Sequence, residues 1–303
     1  MTDVQTDARS QRRRRSHRWV IIVLLAPTVL GMGIFTILPI LGSVVLAFFD
    51  WDLVSAPEFN GIENFLTLGT DATIRRAFLN TIGFVVIAVV IQLTLAVFLA
   101  VMVQSRMPNW LRLFFRSTFF FPLVLSAASV SIFMRYMFNE QFGVVNWLLN
   151  LIGVPSVPWL TTPTGAAAVV IFVFVWQNFG FSFLILLGGL AAIPKELHEA
   201  GEIDGARGWS AFRSITLPLI SPSMLVASVT AMITALQVFD QPYVLTRGGP
   251  GDATRSAVMV VFEAAFQRLE FGLASATGLV LMLLIMVITW IQFRLSRRLV
   301  FYQ

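Results

Sequence analysis

One polar segment of this 303-residue chain, residues 193–222, carries charges of both signs, four acidic and three basic residues. Their side chains can form ion pairs at a surface, which is a chemistry of contact rather than of catalysis. Pro194 favours a helix that begins there, because proline suits the first turn and early acids stabilise the positive end of the helix dipole. The charged members are Lys195, Glu196, Glu199, Glu202, Asp204, Arg207 and Arg213.

The polar segment is predicted to form two short helices at an angle, outside the bilayer and fixed at both ends by membrane spans. Gly205 permits a turn or a close backbone approach after the first helix. A second short helix is expected at about 210–215, ended by Pro218 before the next span begins. A tightly held helix pair transmits displacement, whereas a solvated connector would not, and composition alone leaves both interpretations open.

The sequence lacks the motifs that would make the chain an enzyme. It has no G-x-x-x-x-G-K-[ST] phosphate loop, and its single lysine, Lys195, has no glycine cradle. His17 and His198 lie in polar segments and there are no cysteines, which disfavours an intramembrane metal site or Ser–His pair. We therefore expect a chain that is not an enzyme, binds no cofactor itself and uses energy supplied elsewhere.

The composition predicts an all-α integral membrane protein. Hydrophobic residues make up 57% of the chain and charged residues 12%, whereas soluble domains average about 25% charged residues. A helix needs about 20 apolar residues to cross a bilayer. We expect a cytoplasmic basic tail at 1–18 and a transmembrane domain at 19–303. The six predicted spans are about 19–49, 78–103, 114–138, 166–190, 219–245 and 271–294.

The basic residues predict the orientation of these spans. Most of the 21 lysines and arginines lie in the N-terminal tail, the connections at 104–116 and 193–218, and the C-terminus. Cytoplasmic loops are enriched in Lys and Arg, so both termini are expected on the cytoplasmic side of a bacterial plasma membrane. The arginine run at 12–15 is then an anchor against anionic membrane lipid, and no nucleic acid is expected as a partner.

Charges inside the spans are too few for a typical self-powered carrier, which needs buried ionisable residues to carry the coupling ion. The nearest candidates are Asp240, near the outer end of span five, and Arg135, near that of span three. A secondary carrier or channel stays open as an alternative, and it would transport unaided and respond to ion gradients. A receptor-like scaffold is a further alternative, but it leaves the amide-rich spans unexplained.

The polar segment resembles the signature of permease subunits of binding-protein-dependent ABC importers. That signature is E-A-A-x-x-D-G-A followed by F-x-x-I-x-L-P-x-x-x-P. Gly201 departs from it, since it stands where the second alanine is usual, at a cost of at most about 1 kcal/mol in helix propensity. The matching residues are Glu199, Ala200, Asp204, Gly205, Ala206, Phe212, Ile215, Leu217, Pro218 and Pro222.

Further motifs resemble the carbohydrate-uptake branch of these importers, of the maltose and glycerol-3-phosphate type. They are L-A-P-T at 25–28, F-D-Q-P-Y-V-L-T at 239–246 and G-G-P at 248–250, while the ending at 292–303 is most similar to glycerol-3-phosphate permeases. The resemblance implies a type I permease fold whose partners are a second homologous permease, two ATPase subunits that bind ATP and Mg, and an extracytoplasmic substrate-binding protein. It also implies that the polar segment is the cytoplasmic coupling-helix loop, which contacts the ATPase through Glu199, Ala200, Asp204, Gly205, Ala206 and Arg207.

Polar and aromatic residues inside spans four and five mark a candidate substrate pathway, because amides, hydroxyls and aromatic faces hold uncharged sugars and polyols. Similarity to the maltose importer adds weight to Gln177, Asn178 and Phe181, while interhelical hydrogen bonding is the alternative role. The expected cargo is a sugar, polyol or glycerol-phosphate-type solute. Glycerol-3-phosphate or a glycerophosphodiester is the specific prediction, and a maltose- or trehalose-type sugar is the alternative. The candidate residues are Trp176, Gln177, Asn178, Phe181, Gln237, Asp240 and Gln241.

Overall fold

The computed structural model describes residues 23–104 and 107–299, so the basic tail predicted at 1–18 lies outside the described residues. The described chain is almost entirely helical. The helices are α1 (Val23–Leu46), α2 (Glu63–Thr70), α3 (Ala72–Gln104), α4 (Asn109–Val124), α5 (Ala127–Met137), α6 (Val144–Leu151), α7 (Pro163–Ala191), α8 (Lys195–Ile203), α9 (Trp209–Leu219), α10 (Ser221–Leu236), α11 (Asp240–Thr246), α12 (Ala257–Gln267) and α13 (Phe271–Leu299). One antiparallel hairpin pairs β1 (Phe49–Asp50) with β2 (Glu58–Phe59).

Four helices, α1, α3, α7 and α13, are each long and apolar enough to cross a membrane. Two bent helix pairs, α4 with α5 and α9 with α10, bring the number of spans to as many as six among the described residues. Long apolar helices without internal polar breaks suit a bilayer, because a helix satisfies all its own backbone hydrogen bonds there. The fold is therefore an all-α membrane bundle.

The core of the bundle is the packing of α7 against α3, α4 and α10. Its largest buried side chains come from α7, among them Phe174, Phe183 and Leu186. The facing side of α3 presents small residues, including Ala88 and Ala96, both fully buried. Small residues let helix backbones approach closely, which is how membrane helices gain van der Waals contact without a hydrophobic driving force.

Two glycines of α7 mark its closest helix contacts. A Cβ at Gly180 would lie 2.0 Å from the carbonyl oxygen of Phe119 in α4, and one at Gly189 would lie 2.3 Å from Ser223 Oγ in α10. The neighbouring Gly188 faces open space, with nothing within 4 Å of a Cβ built there. Of these two adjacent glycines, Gly189 is therefore the one at a close helix contact.

The segment predicted as one span at 114–138 is two helices, α4 and α5, bent by 99°. Pro122 lies in the last turn of α4, where proline removes a backbone donor and clashes with the preceding turn. Leu125 and Ser126 are then extended, and Ser126 Oγ accepts a hydrogen bond from the Ser129 amide at the start of α5. The apolar composition continues through this break, so hydropathy alone did not show it.

The segment predicted as a single span at 219–245 is also divided. It joins α9 at a 70° bend, and α10 ends at Leu236, after which Gln237–Phe239 form a second interruption before α11. The short helix predicted at 210–215 is longer than expected, because Pro218 does not end it. Pro218 follows the π-helical turn Phe212–Thr216 and occupies the first turn of the helical stretch that continues to Leu219. Within α9 as a whole Pro218 lies in the last turn, directly after the π-helical turn and just before the bend into α10.

Candidate functional site

The first helix of the polar segment, α8, begins directly after Pro194, as the sequence predicts. It ends in a pair of hydrogen bonds in which the Gly205 amide donates to Glu202 O at 3.2 Å and the Ala206 amide donates to Gly201 O at 2.8 Å. This pattern is a Schellman cap, which needs a left-handed residue after the last helical turn. Gly205 supplies it with φ +85°. The predicted turn is present, and no described atom lies within 4 Å of a Cβ built at Gly205, so conformation rather than space requires glycine there.

Gly201, the position that departs from the importer signature, has a structural role that the sequence did not reveal. A Cβ there would lie 2.3 Å from Ile215 Cδ1, so the tip of Ile215 fills the space that an alanine methyl would take. Gly201 is buried although most of α8 is exposed. This contact fastens α8 to α9, and the polar segment is therefore a packed helix pair rather than a loose connector.

The outward face of the polar segment combines charge with exposed apolar side chains. Glu199, Ala200, Asp204, Gly205 and Arg207 are exposed, and Ala206 is half-buried. Ile203 and Trp209 are 87% and 72% exposed, with the Trp209 ring stacked on Phe212 at 5.2 Å between centroids. None of the ion pairs found in residues 23–104 and 107–299 involves this face. Sequence analysis singled out the charges and missed the two apolar residues, whose exposure is evident only from the fold.

Two of the candidate pathway residues, Gln177 and Gln241, are hydrogen-bonded to each other. Gln241 Nε2 donates to Gln177 Oε1 at 3.0 Å, and Gln177 Nε2 donates to the carbonyl oxygen of Leu125 at 3.1 Å. Gln177 is only 4% exposed and Gln241 only 5%. In this conformation the glutamine pair joins α7 to α11 and to the break between α4 and α5.

The other candidates on α7 have separate surroundings. Asn178 Nδ2 donates to Phe174 O of its own helix at 2.8 Å, and the Asn178 carbonyl accepts from Gln92 Nε2 at 3.3 Å. Trp176 packs beside a cluster of buried valines on α7, and Phe181 is 40% exposed. Gln92 is a buried polar residue of α3 that sequence analysis did not select. Its amide joins α3 to α7, and the rule that selected polar residues within spans four and five would have found it if applied to span two.

The candidates at the second break are more accessible. Gln237 is exposed at the end of α10, and Asp240 is half-buried in the first turn of α11. Asp240 is not ion-paired with Arg135 among the described residues, although α11 packs against α5, the helix that carries Arg135. The structure therefore divides the predicted pathway into a buried glutamine pair and a more open group at the second break.

The second break is held in place by the loop that follows α11. Ser256 Oγ donates to Val238 O at 2.8 Å, and Asn80 Nδ2 of α3 donates to Arg255 O at 3.3 Å. Burial opposes the charge on Arg255, but its hydrogen bond to Asp252 and the nearby carboxylates outweigh burial, so the pKa of Arg255 is raised. The loop, stabilised by the Arg255–Asp252 ion pair, is therefore hydrogen-bonded both to α3 and to the interruption between α10 and α11.

A multi-pass helical bundle with a packed and exposed helix pair, α8 and α9, directly after its fourth span has the fold of a type I ABC importer permease, a transport subunit rather than an enzyme. The chain belongs to the family described as "Binding-protein-dependent transport system inner membrane component", whose model matches residues 92–301.

Curated relatives match the chain over nearly its whole length. The sulfoquinovosyl glycerol transport system permease protein SmoG of Agrobacterium fabrum is 32% identical, over 92% of this chain and 91% of that protein. The trehalose/maltose transport system permease protein MalF of Thermococcus litoralis is 32% identical, over 91% and 92%. A bacterial ABC transporter that imports the acidic polysaccharide alginate contains a chain of the same fold, with a TM-score of 0.83 at 24% identity, covering 95% of this chain and 99% of that one.

Proposed function

We propose that this chain is a permease subunit of an ATP-driven importer for a carbohydrate or a related polyol derivative in a bacterial plasma membrane. It works with a second homologous permease, two ATPase subunits that bind ATP and Mg²⁺, and an extracytoplasmic binding protein that delivers the solute. Both termini lie in the cytoplasm. The observation that carries the proposal is the exposed, capped helix pair α8–α9, whose charged and apolar face has no partner within the described chain.

The contacts of this helix pair support a coupling role. The Schellman turn at Gly205 fixes the angle at which α8 ends, and the Gly201–Ile215 contact ties α8 to α9. The chain continues from α9 into α10, which packs against α3 and α7. A displacement imposed on α8 by an ATPase is therefore passed through packed helices into the transmembrane bundle, because close-packed elements transmit strain.

The cargo proposal is supported by uncharged pathway residues and by relatives whose names refer to sugars or glycosides. Glycerol-3-phosphate or a glycerophosphodiester is the specific solute we propose, with a maltose- or trehalose-type sugar as the second candidate. A cavity lined by both Arg135 and Arg247 supports a solute that carries an oxyanion, with two cations against the single carboxylate of Glu140, which accepts hydrogen bonds from Thr161. The amides and hydroxyls in the bundle would serve either class.

Reconstitution of the assembled complex tests this function. Proteoliposomes that contain both permeases, the ATPase and the binding protein should take up solute only with ATP on the ATPase side. Uptake by this chain alone, driven by an ion gradient, would instead establish a secondary carrier. Thermal shift of the purified binding protein with trehalose, maltose, sn-glycerol-3-phosphate and glycerophosphocholine then distinguishes the two cargo classes, and stabilisation by the sugars alone would overturn the phosphate assignment.

A further inference from the structure

Two interruptions of the bundle meet at the glutamine pair. The first is the break at Leu125, where α4 turns into α5, and the second is the stretch between Leu236 and Asp240, where α10 gives way to α11. Gln177 Nε2 donates to the carbonyl oxygen at the first break, and Gln177 Oε1 accepts from Gln241, in the first turn after the second. One buried amide contact therefore connects both breaks to α7.

The helices that follow the two breaks form one packed body, which we call the outer-helix unit: α5 together with α11. These two helices pack against each other. Val130 of α5 and Leu245 of α11 share a buried cluster with Val169, Val170 and Val173 on the outer half of α7. The outer-helix unit thus contacts α7 in two ways. Apolar side chains pack against Val169, Val170 and Val173, and Gln241 bonds to Gln177 further along α7.

We propose that Gln177 and Gln241 are positioning residues that hold the outer-helix unit at a fixed angle to α7, so that the two interrupted spans change conformation together. The proposal rests on the transport function above and deepens it, because a permease that alternates between outward and inward access needs its discontinuous spans to move in step. The pair acts through the helices that it joins, without touching the solute.

The hydrogen bonding of the pair is what separates a positioning role from substrate contact. Gln177 uses both its oxygen and its nitrogen within the protein, and the Gln241 nitrogen is used as well. Both side chains are at least nine-tenths buried, whereas Gln237 is exposed and Asp240 is half-buried. A buried amide without a hydrogen-bond partner is costly in an apolar interior. The two side chains therefore stay bonded to each other unless both find new partners at the same time.

Site-specific labelling tests the proposal, since the chain has no native cysteine. We would place a single cysteine at Val130, which is 5% exposed in the outer-helix unit, and measure its reaction rate with N-ethylmaleimide for the chain in nanodiscs with its partner permease. The near-isosteric variants Gln177→Met and Gln241→Met should each raise this rate about threefold to tenfold, the range expected for an interhelical hydrogen bond in a membrane. The double variant should react no faster than the faster single variant, because the two residues form one contact.

A second cysteine position and a control variant make the labelling result specific. A cysteine at Ala227, fully buried in α10, reports general loosening and should keep its rate in all three glutamine variants. Thr277→Val removes a buried hydroxyl that donates a hydrogen bond within α13, at 2.8 Å to Leu273 O. This variant should leave the reaction rate of the cysteine in Val130→Cys unchanged. Equal acceleration at both cysteines, or no acceleration at Val130→Cys, would overturn the proposal. If Gln177→Met does not fold, the labelling rate of Gln241→Met tests the proposal by itself. That variant keeps Gln177 and its hydrogen bond to the carbonyl oxygen of Leu125.

Uptake kinetics give the functional readout. The assembled importer is assayed with whichever of trehalose, maltose or sn-glycerol-3-phosphate the unmodified complex takes up. A positioning role predicts a maximal rate about threefold to tenfold lower, with KM within about twofold, because the conformational step is impaired rather than solute binding. A raised KM at an unchanged maximal rate would show substrate contact and would contradict the proposal. If none of these solutes is taken up by the unmodified complex, the proposed cargo fails, while the labelling result still decides the role of the pair.

Discussion

The polar segment exposes its charged side chains, whereas the polar residues of the bundle interior are mostly satisfied inside the protein. Glu199 and Asp204 have no ion-pair partner among the described residues, but Gln177 and Gln241 bond to each other at 3.0 Å. The difference follows from the solvent, because water satisfies an exposed carboxylate and lipid satisfies nothing. A polar residue within the bilayer must therefore be checked for a hydrogen-bond partner inside the protein before it is assigned to ligand binding, whereas a polar residue on a water-exposed face needs no such partner.

The largest expected effect concerns the bundle interior. Gly180→Ala places a methyl group 2.0 Å from the Phe119 carbonyl oxygen, and overpacking of this kind costs about 1–3 kcal/mol. The backbone oxygen cannot move away as a side-chain tip can, so we expect the upper part of that range. Thermal unfolding of the purified complex measures it, with Gly188→Ala, which meets no neighbour, as the matched control. Equal melting temperatures for the two variants would show that α4 and α7 are not in close contact.

The second-largest effect is expected from a substitution in the polar segment, which should reduce uptake without changing the stability of the helical bundle. Gly205→Val forces a β-branched residue into the left-handed region at φ +85°, at a cost of about 1–2 kcal/mol. We expect uptake to fall about tenfold while the amount of folded permease stays constant. Gly205→Asn should retain most activity, because asparagine tolerates that conformation. Equal uptake by the valine and asparagine variants would show that the Schellman turn is not needed for coupling.

A smaller effect is expected at the exposed tryptophan. Trp209→Ala should weaken binding of the ATPase subunit by at least about 1 kcal/mol, because aromatic residues often dominate interface energies. Trp209 is 72% exposed, so the melting temperature of the permease without its ATPase should not change. Titration of the ATPase onto nanodisc-embedded permease measures the affinity, with Trp147→Ala, at 59% exposure on α6, as the control. A loss of affinity in both variants, or in neither, would exclude Trp209 from the interface.

The smallest effect is expected at Gly201. Gly201→Ala restores the residue usual in the importer signature but brings a methyl group to 2.3 Å from Ile215 Cδ1. A flexible side-chain tip can move aside, so we expect a change of less than about 1 kcal/mol in thermal stability, with a gain in helix propensity opposing the crowding. The pair Gly201→Ala with Ile215→Val should be at least as stable as the original chain. A large loss in this double variant would mean that α8 and α9 meet differently.

Several features of the fold could be predicted from the sequence because their signals are local. Apolar length located the long helices, Pro194 marked the beginning of α8, and Gly205 marked its end. The break at Leu125 was not predicted, because the composition stays apolar through it, and the break at Gln237–Phe239 was not predicted, because its polar residues were interpreted as a substrate pathway within a continuous helix. Hydropathy measures transfer into lipid and is insensitive to the direction of the backbone.

The candidate site was predicted unevenly for the same reason. The charges of the polar segment were conspicuous in an otherwise apolar chain, but the exposure of Ile203 and the contact between Gly201 and Ile215 depend on tertiary packing. The pathway candidates were chosen as polar residues within spans, which does not distinguish a residue that faces a ligand from one that faces another amide. Gln177 and Gln241 are 64 positions apart, and only the fold brings them together.

The central claim, that the polar segment docks on an ATPase, is tested most directly by cross-linking. A cysteine introduced at Ile203, which is 87% exposed, would be the only thiol in the chain. In the assembled complex a maleimide–diazirine reagent attached to this cysteine should join it to an ATPase subunit on illumination, whereas the same reagent on a cysteine at Val54, 88% exposed in the loop between β1 and β2, should give no such product. Absence of the Ile203 cross-link, or an equal yield from Val54, would contradict the account.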